Sequence, residues 1–139
     1  MEAARTAPPG MKRLRATGSV DASFARLEAA VAQRGLTVFA RVDFAADAAA
    51  VGLVLRPTRL LVFGNPRAGT PLIVAVPTVA LDLPLRVLVW EADDGTVWVG
   101  YNTPEYLAER YGVPPELLAN VRAVETLAAI AASTGESLG

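Results

Sequence analysis

The chain has 139 residues, 53% of them hydrophobic and 19% charged, with a formal net charge of −1. That length suits one domain, and the apolar content is ample to offset chain entropy. Cysteine and histidine are both absent, which excludes disulfides, thiolate or imidazole metal sites, cysteine nucleophiles and a Ser-His-Asp triad. Any metal would need oxygen ligands, and no cofactor is expected.

Charge is divided unevenly along the chain: residues 1–70 carry an excess of +5 and residues 71–139 an excess of −6. Such polarity can mark a nucleic-acid face or a self-association surface, but interleaved elements also mix charges in space. The first ten residues, with Pro8-Pro9-Gly10, have neither the charge nor the apolar run of a secretory signal. Apolar runs such as Leu72 to Val76 fall far short of the ~20 residues of a membrane helix. A cytoplasmic protein without a membrane partner is expected.

Residues 1–10 read as a mobile tail and residues 11–139 as the domain. A first strand is expected near Lys12 to Thr17. Val20, Phe24, Leu27 and Val31 then recur at helical spacing, with Ser19 to cap the start and Gly35 to end the helix. From Leu36 to Asp43 the pattern alternates, which predicts a strand burying Leu36, Val38, Ala40 and Val42. The alanine-rich stretch from Phe44 to Val51 predicts a short helix closed by Gly52.

Thr58 to Phe63 reads as a strand apolar on both faces, broken by Gly64-Asn65-Pro66. Gly69-Thr70-Pro71 predicts a helix entrance, with Thr70 at the cap, proline at the first helical position and Gly69 at positive φ. Pro77 and Pro84 bracket a predicted loop. Leu85 to Ala92 and Thr96 to Tyr101 flank Asp93-Asp94-Gly95, the signature of a β-hairpin. Thr103-Pro104 opens a helix ending near Gly112. A long terminal helix is expected after Pro114-Pro115, with Leu117, Val121, Val124, Leu127, Ala128 and Ala131 as its buried stripe. This order of elements predicts an α+β fold, a mainly antiparallel sheet with helices on one face.

Five segments together resemble the bacterial Domain of Unknown Function 302 family. They are Gly35-Leu36-Thr37-Val38-Phe39-Ala40-Arg41-Val42-Asp43, Leu60-Leu61-Val62-Phe63-Gly64-Asn65-Pro66, Gly69-Thr70-Pro71-Leu72, Leu81 through Glu91, and Tyr101-Asn102-Thr103-Pro104-Glu105-Tyr106-Leu107. The resemblance spans roughly Lys12 to Val113. It implies a curved sheet of TATA-binding-protein-like architecture, usually in a homodimer, and no established activity. Members commonly carry a histidine after the aspartate matching Asp43; Phe44 stands there in this chain.

The foremost candidate site is Phe63-Gly64-Asn65 with Gly69-Thr70, a turn leading to a helix start whose free N–H groups could hold an anion. It lacks the lysine of a P-loop, and the same residues also suit a plain turn with a capped helix. Tyr101 and Asn102 could point polar groups into a cleft near Asn65. Glu91, Asp93 and Asp94 cluster at the hairpin, where they could hold a hard cation or simply form a solvated turn. Arg56 and Arg59 could pair with Asp43 or Glu91, or bind an anion. Trp90 and Trp98 should be cross-strand neighbours, in the core or at an interface.

The composition and pattern thus favour a non-enzymatic homodimeric module that binds a small anionic or apolar ligand or a protein partner. The alternative is an enzyme using carboxylate and tyrosine acid-base chemistry, which would need Glu91, Tyr101 and Asn65 in one pocket. With 6% aromatic residues there is no evident stacking platform for single-stranded nucleic acid, which is not expected as a partner.

Overall fold

The computed structural model describes residues 7–133. Its frame is a five-stranded sheet of β1 (Met11–Arg15), β2 (Thr37–Asp43), β3 (Thr58–Gly64), β4 (Leu85–Glu91) and β5 (Val97–Asn102). The spatial order is β1-β5-β4-β3-β2, and every neighbouring pair is antiparallel. Side chains alternate across a strand, so Leu61 and Phe63, Val87 and Val89, and Val97, Val99 and Tyr101 share one face and are buried there. Helices α1 (Val20–Gln33) and α5 (Ala123–Ala132) cover that face.

The sequence signals at α1 act as expected. Ser19 Oγ accepts the Ala22 N–H, and Val20, Phe24, Leu27 and Val31 are buried. The hairpin forms with Gly95 at φ 86° and Trp90 directly opposite Trp98. On the face of the sheet away from α1 and α5, the Trp90 ring lies over Gly100, and the Arg13 guanidinium stacks on Trp98 at 3.9 Å.

Remaining elements are α2 (Phe44–Ala50), α3 (Pro66–Ala75), a 3₁₀ helix Pro77–Asp82, α4 (Pro104–Tyr111) and a second 3₁₀ helix Pro115–Val121. Leu72, Val79, Leu107, Val113 and Val121 form a second apolar cluster beside the main core. Leu85 packs against both. Among the described residues no helix is long and apolar enough to cross a membrane.

Several expectations are corrected. Helix α3 begins at Pro66, not after Thr70: Asn65 is a stronger cap than threonine, its Oδ1 accepts the Arg67 N–H at 3.0 Å, and Pro66 takes the first helical position. Gly69 and Thr70 are therefore inside the helix, Pro71 is accommodated within it, and Gly69 is not at positive φ. The expected loop between Pro77 and Pro84 contains the first 3₁₀ helix, and the Leu83-Pro84 peptide is cis.

The single terminal helix is divided between the 3₁₀ helix Pro115–Val121 and α5. The change of direction lets Val121 fill the second cluster while Val124 enters the first. Strand β2 lies at the sheet edge and carries a bulge between Val38 and Ala40. The expected four-residue buried face is thereby split, since Val38 pairs with Phe63 but Ala40 and Val42 pair with Val62 and Leu60 on the opposite face.

Residues 1–6 of the expected tail lie outside the described residues. Its end is held: Gly10, at φ 84°, sits beneath the Tyr106 ring, and its carbonyl accepts the Thr103 N–H at 2.9 Å and the Thr103 hydroxyl at 3.2 Å.

Two glycines should respond oppositely to the same replacement. A Cβ on Gly69 would meet nothing within 4 Å, so Gly69→Ala should stabilise the chain by ~0.5–1 kcal/mol through helix propensity. A Cβ on Gly100 would stand 2.9 Å from the Trp90 ring and 2.3 Å from Met11 Cε, so Gly100→Ala should destabilise by ~1–3 kcal/mol. Urea unfolding of both variants, read as midpoint shifts in opposite directions, checks the pair.

Candidate functional site

A cavity of about 340 Å³ opens at the seam between the two apolar clusters. Its walls come from the β3–α3 corner (Gly64, Asn65, Gly69, Thr70), from Leu36 and Phe39 at the sheet edge, from Ile73 of α3, from Leu83, Pro84 and Leu85, and from Asn120 and Val121. Among the described residues that line it, none carries a charged side chain. Thr70, Asn65 and Asn120 supply the polar side chains.

Local chemistry builds the corner. Strand β3 ends at Gly64, where a Cβ would lie at ordinary contact distance from both walls, 3.4 Å from Pro84 Cβ and 3.9 Å from Phe39 Cε2. Asn65 then turns the chain. Its side chain caps Arg67, and its carbonyl accepts the N–H groups of Ala68 at 2.9 Å and Gly69 at 2.8 Å. Asn120 Nδ2 donates to the Ala68 carbonyl at 3.0 Å and ties the second 3₁₀ helix to α3.

This bonding decides what the helix start can hold. Pro66 has no N–H, and the next three N–H groups are all engaged by Asn65. The free donors that an anion would need at a helix N-terminus are absent here.

Of the candidate residues, Gly64, Asn65, Gly69 and Thr70 meet in this cavity. Phe63 does not line it and is fully buried in the main core. Tyr101 and Asn102 line a different cleft of about 240 Å³, together with Asp82 and Leu107. Burial pushes the Tyr101 phenol above its ordinary pKa, and nearby Glu125 and Glu105 add to the shift. Phe39, Ile73 and Asn120 were missed. Asn120 alone left a trace in the sequence, as the one amide within the apolar stripe of the last segment; Phe39 and Ile73 are apolar residues among many.

The carboxylate and arginine candidates are engaged with each other. Arg56 pairs with Glu91 at 2.7 Å and Asp93 at 3.5 Å, while Asp94 accepts the Thr96 N–H at 2.9 Å within the turn. Glu91 borders a third cleft, on the open face of the sheet. Glu91, Tyr101 and Asn65 therefore stand in three separate cavities and do not form the proton-transfer set that the enzyme alternative needed.

Nor does the basic first half gather into a patch from these arginines. Arg41 pairs with Glu28, Arg59 with Asp21 at 3.3 Å, and Arg26 bonds the carbonyls of Thr17 and Ala131. Among the described residues no three carboxylates gather in a way that could hold a metal ion.

A separate polar cluster ties α4 to the first 3₁₀ helix. The Tyr111 hydroxyl donates to Asp82 Oδ2 at 2.7 Å, Arg110 approaches the same carboxylate at 3.4 Å, and Arg110 donates to the Tyr106 hydroxyl at 3.0 Å. The hydrogen bond to Asp82 raises the Tyr111 pKa.

Comparison with known proteins places this fold in a family. The family model described as Domain of unknown function DUF302 matches residues 12–133, and the chain belongs to that family. A crystal structure of an uncharacterized conserved protein DUF302 from Bacillus stearothermophilus superposes with a TM-score of 0.72 over 90% of this chain and 97% of that one. At 20% identity the likeness is one of fold.

A 104-residue stretch, 75% of this chain, is 41% identical to part of the Fluoride-specific ion channel FluC 1 of Brucella suis biovar 1 (strain 1330), covering 41% of that protein. The same identity is found with FluC 1 of Brucella abortus biovar 1 (strain 9-941), covering 38% of it. The chain thus spans about two fifths of the length of the curated relatives it matches.

The Tyr111–Asp82 bond gives a pH signature. Its contribution to stability is fully present below the ordinary phenol pKa near 10 and is lost as pH rises through the raised value of the folded chain. Ultraviolet titration should show Tyr111 ionising late, and Asp82→Asn should bring that step down toward 10. A step unmoved by the replacement would mean that another interaction governs it.

Proposed function

We propose that this member of the family is a non-enzymatic binding module that holds a small molecule in the seam cavity and acts as a homodimer. The observation that carries the ligand reading is the cavity itself. It is an apolar hollow with a few converging amide and hydroxyl groups, set between two packed clusters, which is the usual form of a small-molecule site. Among the described residues, its walls offer no carboxylate, tyrosine or arginine to move a proton or stabilise a charge.

The match to part of much longer chains supports a transferable module. Proteins named as fluoride-specific ion channels include a stretch 41% identical to it. A binding unit can be attached to other machinery and report on a ligand there.

The dimer reading rests on a different feature. Between β2 and β3, α2 and the segment that follows it have no buried residue from Phe44 to Leu55, although Asp47 is the only charged side chain among them. Val54 is 100% exposed, Val51 72% and Leu53 64%. A run of this kind is a surface that association would cover. Val54 and Leu55 also border the open-face cleft beside Leu88 and Trp90, which the charged Arg13, Arg56, Glu91 and Asp93 line as well.

Two measurements test these readings. A small molecule should co-purify with the chain from its own host, be released by organic extraction, and be absent from Gly69→Leu, whose new side chain fills the cavity from an unstrained helical position. Equal recovery from both proteins would remove the cavity as the site. Light scattering should give twice 14.6 kDa for the parent chain and a folded monomer for Val54→Asp. A parent that stays at 14.6 kDa as its concentration rises would sink the dimer.

A further inference from the structure

We infer that the seam cavity accepts an uncharged, mainly apolar molecule and that Phe39 is the side chain that covers it and governs its entry and release. The inference rests on the cavity being a binding site, as proposed above, and adds the ligand's chemistry and the residue that controls access.

The charge argument comes from the corner. Every N–H of the first turn of α3 that could meet an anion is engaged by Asn65, and Pro66 has none to offer. Among the described residues, no arginine or lysine lines the cavity to neutralise an anion, and no carboxylate lines it to neutralise a cation. A charged molecule would lose its hydration without a partner, a penalty far larger than a cavity of this size can offset. Leu36, Ile73, Leu83, Leu85 and Val121 instead fit an apolar body, and the side chains of Asn65, Thr70 and Asn120 can each meet a neutral hydrogen-bonding group.

The role of Phe39 comes from the bulge. Val38 is opposite Phe63, and the next register pair is Ala40 with Val62, so Phe39 has no partner on β3. Phe39 is thus the extra residue of the bulge, a device that often sets a side chain beside a site, and its ring lines the cavity wall at the Gly64 corner.

Two further features suit a movable cover. Phe39 is 52% exposed. Strand β2 is at the sheet edge, with no neighbour beyond it to restrict the side chain. The ring reaches the corner at Gly64, where Cε2 would be 3.9 Å from a Cβ built on the glycine.

The test uses two fluorescent probes with the same ring system, neutral N-phenyl-1-naphthylamine and its sulfonated relative 8-anilino-1-naphthalenesulfonate, on the full chain. The parent chain should bind the neutral probe at one per chain and the sulfonate at least tenfold more weakly. Gly69→Leu should abolish binding of the neutral probe. Phe39→Ala should leave the fold intact and speed probe release, read by stopped-flow dilution, at least tenfold, while Phe39→Leu should fall between the two. If the neutral probe binds and Gly69→Leu blocks it, but Phe39→Ala releases it at the parental rate, the covering role of Phe39 is overturned and the binding site stands. Equal affinity for both probes overturns the uncharged class. A parent chain that binds neither probe, or binding indifferent to Gly69→Leu, overturns the inference together with the site it rests on.

Discussion

The one-sided apolar face of the sheet is the constraint from which the other features follow. Leu61, Phe63, Val87, Val89, Val97 and Val99 must all leave water on the same side, and antiparallel registry brings them into one layer that α1 and α5 cover. Their burial contributes on the order of 1.5–3 kcal/mol for each large side chain. Two helices cover the central strands, and β2 is left at an edge. Beyond the end of β3 the chain builds a second, smaller cluster from α3, α4 and the two 3₁₀ helices. Two cores of different origin meet along a seam, and the cavity lies where their side chains do not interdigitate.

The corner at Gly64 and Asn65 shows how local chemistry shapes that seam. Phe39 and Pro84 meet at the glycine, and asparagine consumes the donors of the next helix while turning the chain into it. A site assembled this way is neutral by construction. The same hydrogen bonds that stabilise α3 remove the electrostatic seat that a helix start would otherwise present.

The apolar arm from Phe44 to Leu55 follows a different logic. It lies between the edge strand β2 and its neighbour β3, but its own side chains are not drawn into either cluster. A chain rarely leaves Val51, Leu53 and Val54 so open without a use for them. Its nearness to Trp90 and Leu88 extends the surface across the sheet face away from α1 and α5.

Local patterns alone were enough to place α1, the β4–β5 hairpin and α4, because in each the periodicity, the cap and the turn residue agree: Ser19 before Val20, Gly95 in the turn, Thr103 before Pro104 and Gly112 in the left-handed conformation after Tyr111. They also singled out Phe63, Gly64, Asn65, Gly69 and Thr70 as a group; four of these line one cavity, and Phe63 belongs to the main core. Asn65-Pro66 and Thr70-Pro71 both offer a helix start, and α3 takes the earlier one, where the stronger asparagine cap stands. The break before α5 and the bulge at Phe39 were illegible because no local signal marks them. Each depends on which distant residues lie opposite, Val121 against one cluster and Val124 against the other, Ala40 and not Phe39 against Val62. Residue types and spacing record what a segment prefers alone; the closing of two cores around an unfilled seam is a property of their packing, which only the folded chain determines.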